Sequence, residues 1–173
     1  MSGVTLHIDY NDQQIQRVLT RLIETGQNPA PIMKDIATYG ESSTRNRFKD
    51  SVAPDGTPWK PLKGGLFDNI PKKHRRKDGK LRATPQAFNF VQGRKILIKQ
   101  SHLLDSITNN AGNDFAEWGS DTSVTYAAIH QFGGKAGRGR KTEIPARPYL
   151  GINDQDEDNI LDLIVSNINE SIS

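Results

Sequence analysis

The sequence has no cysteine, which removes disulfide frameworks and thiolate metal sites from consideration. No apolar run approaches the ~20 residues that crossing a bilayer requires. The opening Met-Ser-Gly-Val-Thr-Leu-His has neither the basic nor the apolar region of a signal peptide, so a soluble chain made in a cytoplasm is expected. Apolar residues make up only 34% of the 173, and the mean hydropathy is −0.65. Such a chain suits one domain, residues 1–173, with a modest core and long polar excursions. Part of its apolar surface is expected to be buried only on assembly.

Reactive motifs are equally scarce. There is no Gly-x-Ser-x-Gly elbow. Gly134 to Thr142 approaches a phosphate-binding loop, but Arg140-Lys141-Thr142 after Gly139 breaks the Walker spacing. The four histidines, His7, His74, His102 and His130, are scattered, with no His-x-x-x-His pair for a metal. Carboxylates gather at the solvated start of the last expected helix, where no dry pocket would shift a pKa. No catalytic, cofactor-binding or metal-ligating residue is assigned, no cofactor is implied, and no enzyme activity is expected.

What the chain does have is segregated charge. The formal net charge of +3 hides a basic stretch from Lys60 to Arg82, in which only Asp68 and Asp78 are acidic. After Arg147 there is no base, while Asp154, Asp156, Glu157, Asp158, Asp162 and Glu170 follow. Lys72-Lys73-His74-Arg75-Arg76-Lys77 is the densest basic run, and Lys135, Arg138, Arg140 and Lys141 form a second. Such segments bind phosphates without reading bases. No helix-turn-helix, zinc finger or RNA-binding signature accompanies them, and no aromatics interleave with them for stacking. A basic loop facing a channel that carries double-stranded DNA, a basic loop docking on an acidic neighbour, and a plainly solvated loop all stand open.

Val4, Leu6, Ile8 and Tyr10 alternate with polar residues, the period of a half-buried strand. Ile15, Val18, Leu19, Leu22 and Ile23 recur at helical spacing before Gly26. Ile32, Met33, Ile36, Ala37 and Tyr39 continue a second helix through Phe48, with Pro31 at its start, and the pair predicts a helical hairpin. Pro54-Asp-Gly56 signals a turn, and Trp59 between two prolines reads as a plug for an apolar gap. Residues from about 63 to 86 show little periodicity and read as a basic excursion outside the core. Leu103, Leu104 and Ile107 fall at helical spacing. Phe115 to Trp118 predicts a strand returning in a hairpin toward Ile107. Asp121 or Ser123 is expected to cap a helix from Val124 to Phe132, which stops at Gly133-Gly134. A flexible glycine-rich loop over about 133–143 follows, then a crossing stiffened by Pro145 and Pro148. Asp154 opens a final helix whose apolar face carries Ile160, Leu161, Leu163, Ile164 and Ile168. The sum is an α+β fold, a small antiparallel sheet packed against several helices, with long basic loops.

Tyr126-Ala-Ala-Ile-His-Gln-Phe-Gly-Gly134, followed by Ile144-Pro-Ala-Arg-Pro-Tyr-Leu-Gly151, resembles the signature of the phage virion morphogenesis family, the tail-completion proteins of Mu-like and related contractile-tailed phages. Asp55-Gly-Thr-Pro-Trp-Lys-Pro-Leu62 resembles the family's Asp-Gly-x-Pro-Trp segment, and Leu103-Leu-Asp-Ser-Ile107 its Leu-x-x-Ser-Ile segment. The pieces stand in family order and cover most of the chain from about Arg47 onward. One departure is Ser101-His102, where members often carry Thr-Gly.

The resemblance implies a structural virion protein that completes the tail at its head-proximal end or joins tail to head. Related tail-end proteins form six-fold rings around the DNA path. The implied partners are therefore further copies of the chain in a hexameric ring, the tail tube or head–tail connector, and packaged double-stranded DNA, with no membrane. The implied place is the host cytoplasm before assembly and the virion neck after it. Expected contact residues are Tyr126, His130, Phe132, Arg138, Arg140, Pro145, Arg147, Pro148 and Tyr149, with Lys72, Lys73, Arg75, Arg76 and Lys77 on the basic loop. The alternative is a DNA-binding accessory factor of head morphogenesis that reads no sequence. For Pro145, Arg147, Pro148 and Tyr149 a structural reading also stands, a crossing that lays Tyr149 and Leu150 on the core.

Overall fold

A computed structural model describes residues 17, 20, 28–61, 71–87, 96–97, 102–140 and 142–172, without the side chains of Arg140 and residues 169–172. The strand expected over 4–10 and the start of the basic excursion lie outside the described residues, as does Lys141. Of the first expected helix only Arg17 and Thr20 are described, both helical and exposed.

Helix α1 spans Ala30–Asp50. Pro31 lies in its first turn, where a missing N–H costs nothing. Ile32, Met33, Ile36, Ala37, Gly40, Thr44, Arg47 and Phe48 are buried, the i, i+3, i+4 stripe that an amphipathic helix turns inward. The helix ends where Ser51 turns left-handed (φ 58°) and gives its N–H to the Arg47 carbonyl. A tight turn follows, with Ala53 N donating to Thr57 O at 2.8 Å and Gly56 at φ +78°. It delivers Trp59 inward, 5% exposed.

Leu103 and Leu104 sit in a single helical turn, α2, His102–Asp105. Ile107 departs from the expected helical register. It opens strand β1, Ile107–Ala111, which pairs antiparallel with β2, Ala116–Ser120, from Ile107↔Ser120 to Ala111↔Ala116. This hairpin packs on α1, and Gly40 lets the Trp118 ring lie against the helix backbone. Helix α3, Ala127–Phe132, starts three residues later than its sequence pattern suggests. Asp121 accepts the Ser123 N–H at 2.7 Å, so the chain first makes an Asx turn and only then a helix.

Across 133–143, where the sequence reads as a loop, β3 (Gly134–Ala136) pairs antiparallel with β4 (Thr142–Ile144). The described fold therefore holds two separate two-stranded sheets instead of one sheet. The final helix α4, Asp154–Ile172, is opened by a reciprocal capping box. Asn153 Oδ1 accepts from Asp156 N at 2.8 Å, and Asp156 Oδ2 accepts from Asn153 N at 3.1 Å.

Two apolar clusters hold these pieces. One joins Ile32, Met33 and Ile36 of α1 to Ile160 and Ile164 of α4. The other gathers Phe48, Trp59, Leu103, Ile107, Val124, Tyr149 and Leu150. Trp118 packs against both. Burying one such large side chain stabilises by about 1.5–3 kcal/mol relative to leaving it in water.

Candidate assembly surface

Residues 145–153 form no helix or ladder, so their backbone groups need partners from elsewhere. Side chains supply most of them. Gln131 acts as a substitute strand: its Oε1 accepts from Tyr149 N (2.9 Å) and Leu150 N (3.0 Å), and its Nε2 donates to Leu150 O (2.9 Å). Trp59 Nε1 donates to Pro148 O at 2.7 Å. Arg147 N donates to His130 O at 2.7 Å, while its guanidinium reaches Lys60 O (2.8 Å) and Pro61 O (3.1 Å). Arg47 Nη1 donates to Tyr149 O (3.3 Å) and Gly151 O (2.6 Å), and its Nη2 pairs with Asp156. Asp156 also accepts from Tyr39 Oη (2.8 Å) and Ser43 Oγ (2.7 Å).

The Asp55–Pro61 and Ile144–Gly151 segments thus meet at one joint. Phe48 lies edge-on to Trp59, with centroids 5.4 Å apart, and 5.2 Å from Tyr149. The Tyr149 hydroxyl lies 3.3 Å from Ser120 Oγ, and burial raises its pKa against that hydrogen bond. Burial likewise pulls both Arg47 and Arg147 below the ordinary guanidinium value, and for Arg47 the charge of Asp156 opposes the shift. Arg147 (4% exposed) and Tyr149 (0%) are accordingly buried within this chain. Their side chains are held by this chain's own groups, and Pro145 and Pro148 are half-buried beside them.

Of the remaining expected contact residues, Tyr126, Phe132 and Arg138 are exposed and His130 is half-buried. Phe132 is 59% exposed at the end of α3 and Tyr126 is 41% exposed at its start. His130 lies between them in sequence, its ring edge-on to Tyr126 at 5.7 Å. Its Nδ1 is buried without a partner, and burial, then the Arg147 charge, lower its pKa. Gly133 (φ +74°) turns the chain from α3 into β3 where a Cβ would come within 2.8 Å of Ala146 N, so only glycine fits. Both strands of the resulting hairpin run exposed, exposed, half-buried, with Lys135 and Arg138 in solvent. The side chain of Arg140 lies outside the description.

The basic stretch is built as a second hairpin. A 3-10 turn over Lys72–His74 leads to the bridge Arg75↔Leu81, and Arg76 N donates to Lys80 O at 2.7 Å. Lys72, Lys73, Arg76, Lys77, Lys80 and Arg82 are exposed and Arg75 is half-buried. Across the fold, Asp154, Asp158 and Asp162 are exposed on α4, whereas Asp156 is drawn into the core by Arg47. Sequence reasoning missed this ion pair. Its traces were an arginine on the apolar stripe of α1 and the Asn153-x-x-Asp156 capping spacing.

An open cleft of about 390 Å³ lies beside the pair, lined by Tyr39, Ser43, Asn46, Arg47, Asp50 and Asn153 among others. It contains no nucleophile–base pair. Among the described residues no group of three His, Asp or Glu could hold a metal, and no helix is long and apolar enough to cross a membrane.

The sequence pattern of the phage virion morphogenesis family matches residues 10–169. Mu-like prophage FluMu G protein 2 of Haemophilus influenzae is 38% identical over 152 residues, covering 88% of this chain and 87% of that protein. The putative capsid assembly protein G of Escherichia phage Mu is 39% identical over 172 residues, covering 98% of each chain. No solved structure gives a significant match.

Proposed function

The chain belongs to the phage virion morphogenesis family and serves virion assembly, and from that premise we propose that it completes the tail at its head-proximal end. In this reading several copies close a ring around the DNA path, each contacting the next through α3 and the β3–β4 hairpin. The supporting observation is that hairpin. A two-stranded ribbon exposed on most positions is marginal on its own in water. It follows directly on exposed Phe132, and exposed aromatics of this kind anchor protein contacts. A head-to-tail contact of this type closes a ring when its rotation closes.

The test is native mass measurement of the purified protein and electron microscopy of its mixture with tail tubes. A closed oligomer capping the tube ends is expected, and Phe132→Asp should abolish it without unfolding the subunit. A protein that stays monomeric and never binds a tube end refutes the reading. A second reading has one observation in its favour, the description of the phage Mu relative as a capsid assembly protein. Under it the subunit would act on the head, and microscopy would find it on capsid shells in place of tails.

A further inference from the structure

We propose that the 72–82 hairpin is a contact for the phosphate backbone of double-stranded DNA, made without base readout. Six exposed bases, Lys72, Lys73, Arg76, Lys77, Lys80 and Arg82, lie on it with one acid, Asp78. Lys72, Lys73, Lys77 and Lys80 have no ion-pair partner among the described residues, and the Arg76–Asp78 pair is loose at 3.8 Å and exposed. Arg82 Nε donates to Arg75 O at 2.9 Å, and otherwise the hairpin backbone is held by groups other than these side chains. Besides the Arg75↔Leu81 bridge, Arg82 N donates to His74 O (2.8 Å), Lys80 N to Asp78 Oδ1 (3.1 Å) and Gly79 N to Arg76 O (3.0 Å). The cations are therefore displayed on a shaped support and not on a free tail.

An acidic protein partner fits less well. Protein interfaces are depleted in lysine and anchored by aromatics. From Lys72 to Arg82 there is no Phe, Tyr or Trp, His74 is half-buried, and so is the one aliphatic side chain, Leu81. The exposed aromatics sit elsewhere, Tyr126 and Phe132 at the ends of α3 and Phe115 in the β1–β2 turn. A lysine-rich surface without Phe, Tyr or Trp matches a polyphosphate, whose affinity comes from counterion release and needs no apolar anchor. The lack of Phe, Tyr or Trp for base stacking also argues against single strands and for duplex.

The experiment measures binding of the full chain to random-sequence duplex DNA of about 30 base pairs by fluorescence anisotropy across salt, using wild type and Lys72→Gln/Lys73→Gln/Arg76→Gln/Lys77→Gln. If all six bases engage phosphates, affinity should fall about a thousandfold between about 50 and 200 mM salt. The quadruple variant, retaining two of the six, should be weaker at low salt and lose only about tenfold over that range. Lys135→Gln/Arg138→Gln, at the other basic site, should leave the salt slope near that of wild type. Absence of duplex binding at about 50 mM salt, or an unchanged slope in the quadruple variant, overturns the proposal. So does loss of self-assembly in the quadruple variant with DNA binding intact, which would assign the hairpin to a protein contact. Oligomer mass is read on the same samples, so failure of the ring reading and failure of this one are separable.

Discussion

Replacing Arg47 by methionine is the sharpest test of how this fold is held. The guanidinium is almost wholly buried and ties α1 to the 149–151 backbone and to Asp156 at the start of α4. Removing it strands a buried carboxylate, and breaking a buried pair from one side costs about 3–5 kcal/mol. Two features moderate the loss. Asp156 keeps the hydrogen bonds from Tyr39, Ser43 and Asn153, and the adjoining cleft admits water to the site. The lower end, about 3 kcal/mol, is therefore expected, a fall in Tm of about 6–12 °C for a chain of this length. Arg47→Met/Asp156→Asn removes both charges and should be more stable than Arg47→Met, because no unpaired ion remains and the amide oxygen can still accept at the α4 cap. Urea unfolding followed by circular dichroism measures all three proteins. A single-variant loss under about 1 kcal/mol, or a double variant no better than the single, would refute the account of a buried pair that holds the crossing.

Gln131→Leu should destabilise by at least about 2 kcal/mol, since it leaves the Tyr149 and Leu150 amides and the Leu150 carbonyl unpaired; hydrogen exchange at those two amides should accelerate, and unchanged protection would count against the substitute-strand role. Gly40→Ala improves helix propensity by about 1 kcal/mol, yet its methyl would enter the Trp118 ring, so overpacking of about 1–3 kcal/mol should win and a stabilised variant would contradict the packing. His130 is held below its ordinary value of 6.5 in the folded chain, so the unfolded chain takes up the proton first. Its contribution is complete above about pH 6.5 and is lost as pH falls below that and through the lower folded value; urea midpoints for wild type should drop more steeply below about pH 6.5 than those for His130→Gln, and parallel profiles would remove the effect.

Much of this architecture is legible in the sequence, and the illegible parts have physical reasons. The apolar stripe from Ile32 to Phe48 announces α1, the Phe115–Trp118 pattern announces the return arm of the β1–β2 hairpin, and Trp59 is the plug its flanking prolines suggest. These signals are local and periodic. Strand β3 (Gly-Lys-Ala) has no β-branched residue, β4 is only three residues long, and the turns around them rest on glycines at positive φ, at 133, 134, 137 and 139. The Arg47–Asp156 pair spans 109 residues, and nothing local marks two charges for burial together. The role of Arg147 and Tyr149 is hard to read for another reason. Aromatic, arginine and proline residues suit both an interface and a buried irregular crossing, so composition alone does not separate the two.

That ambiguity has a structural resolution which bears on assembly. An irregular crossing can be buried only if side chains replace the missing ladder, and here Arg47, Trp59 and Gln131 do so from three different elements. The crossing is thereby fixed to α1, to the turn at Trp59 and to α3 at once. Because α3 leads through Gly133 directly into β3, the exposed Phe132 and the hairpin rise from one of the most constrained parts of the chain. A projecting arm on a fixed base loses little orientational freedom when it docks, so more of its contact energy is retained as affinity. On the ring reading proposed above, the family-like segments at 55–61 and 144–151 act one step behind the interface. They set the direction in which the arm points, and substitutions there should alter assembly through the stability of the subunit before they alter any surface a neighbour touches.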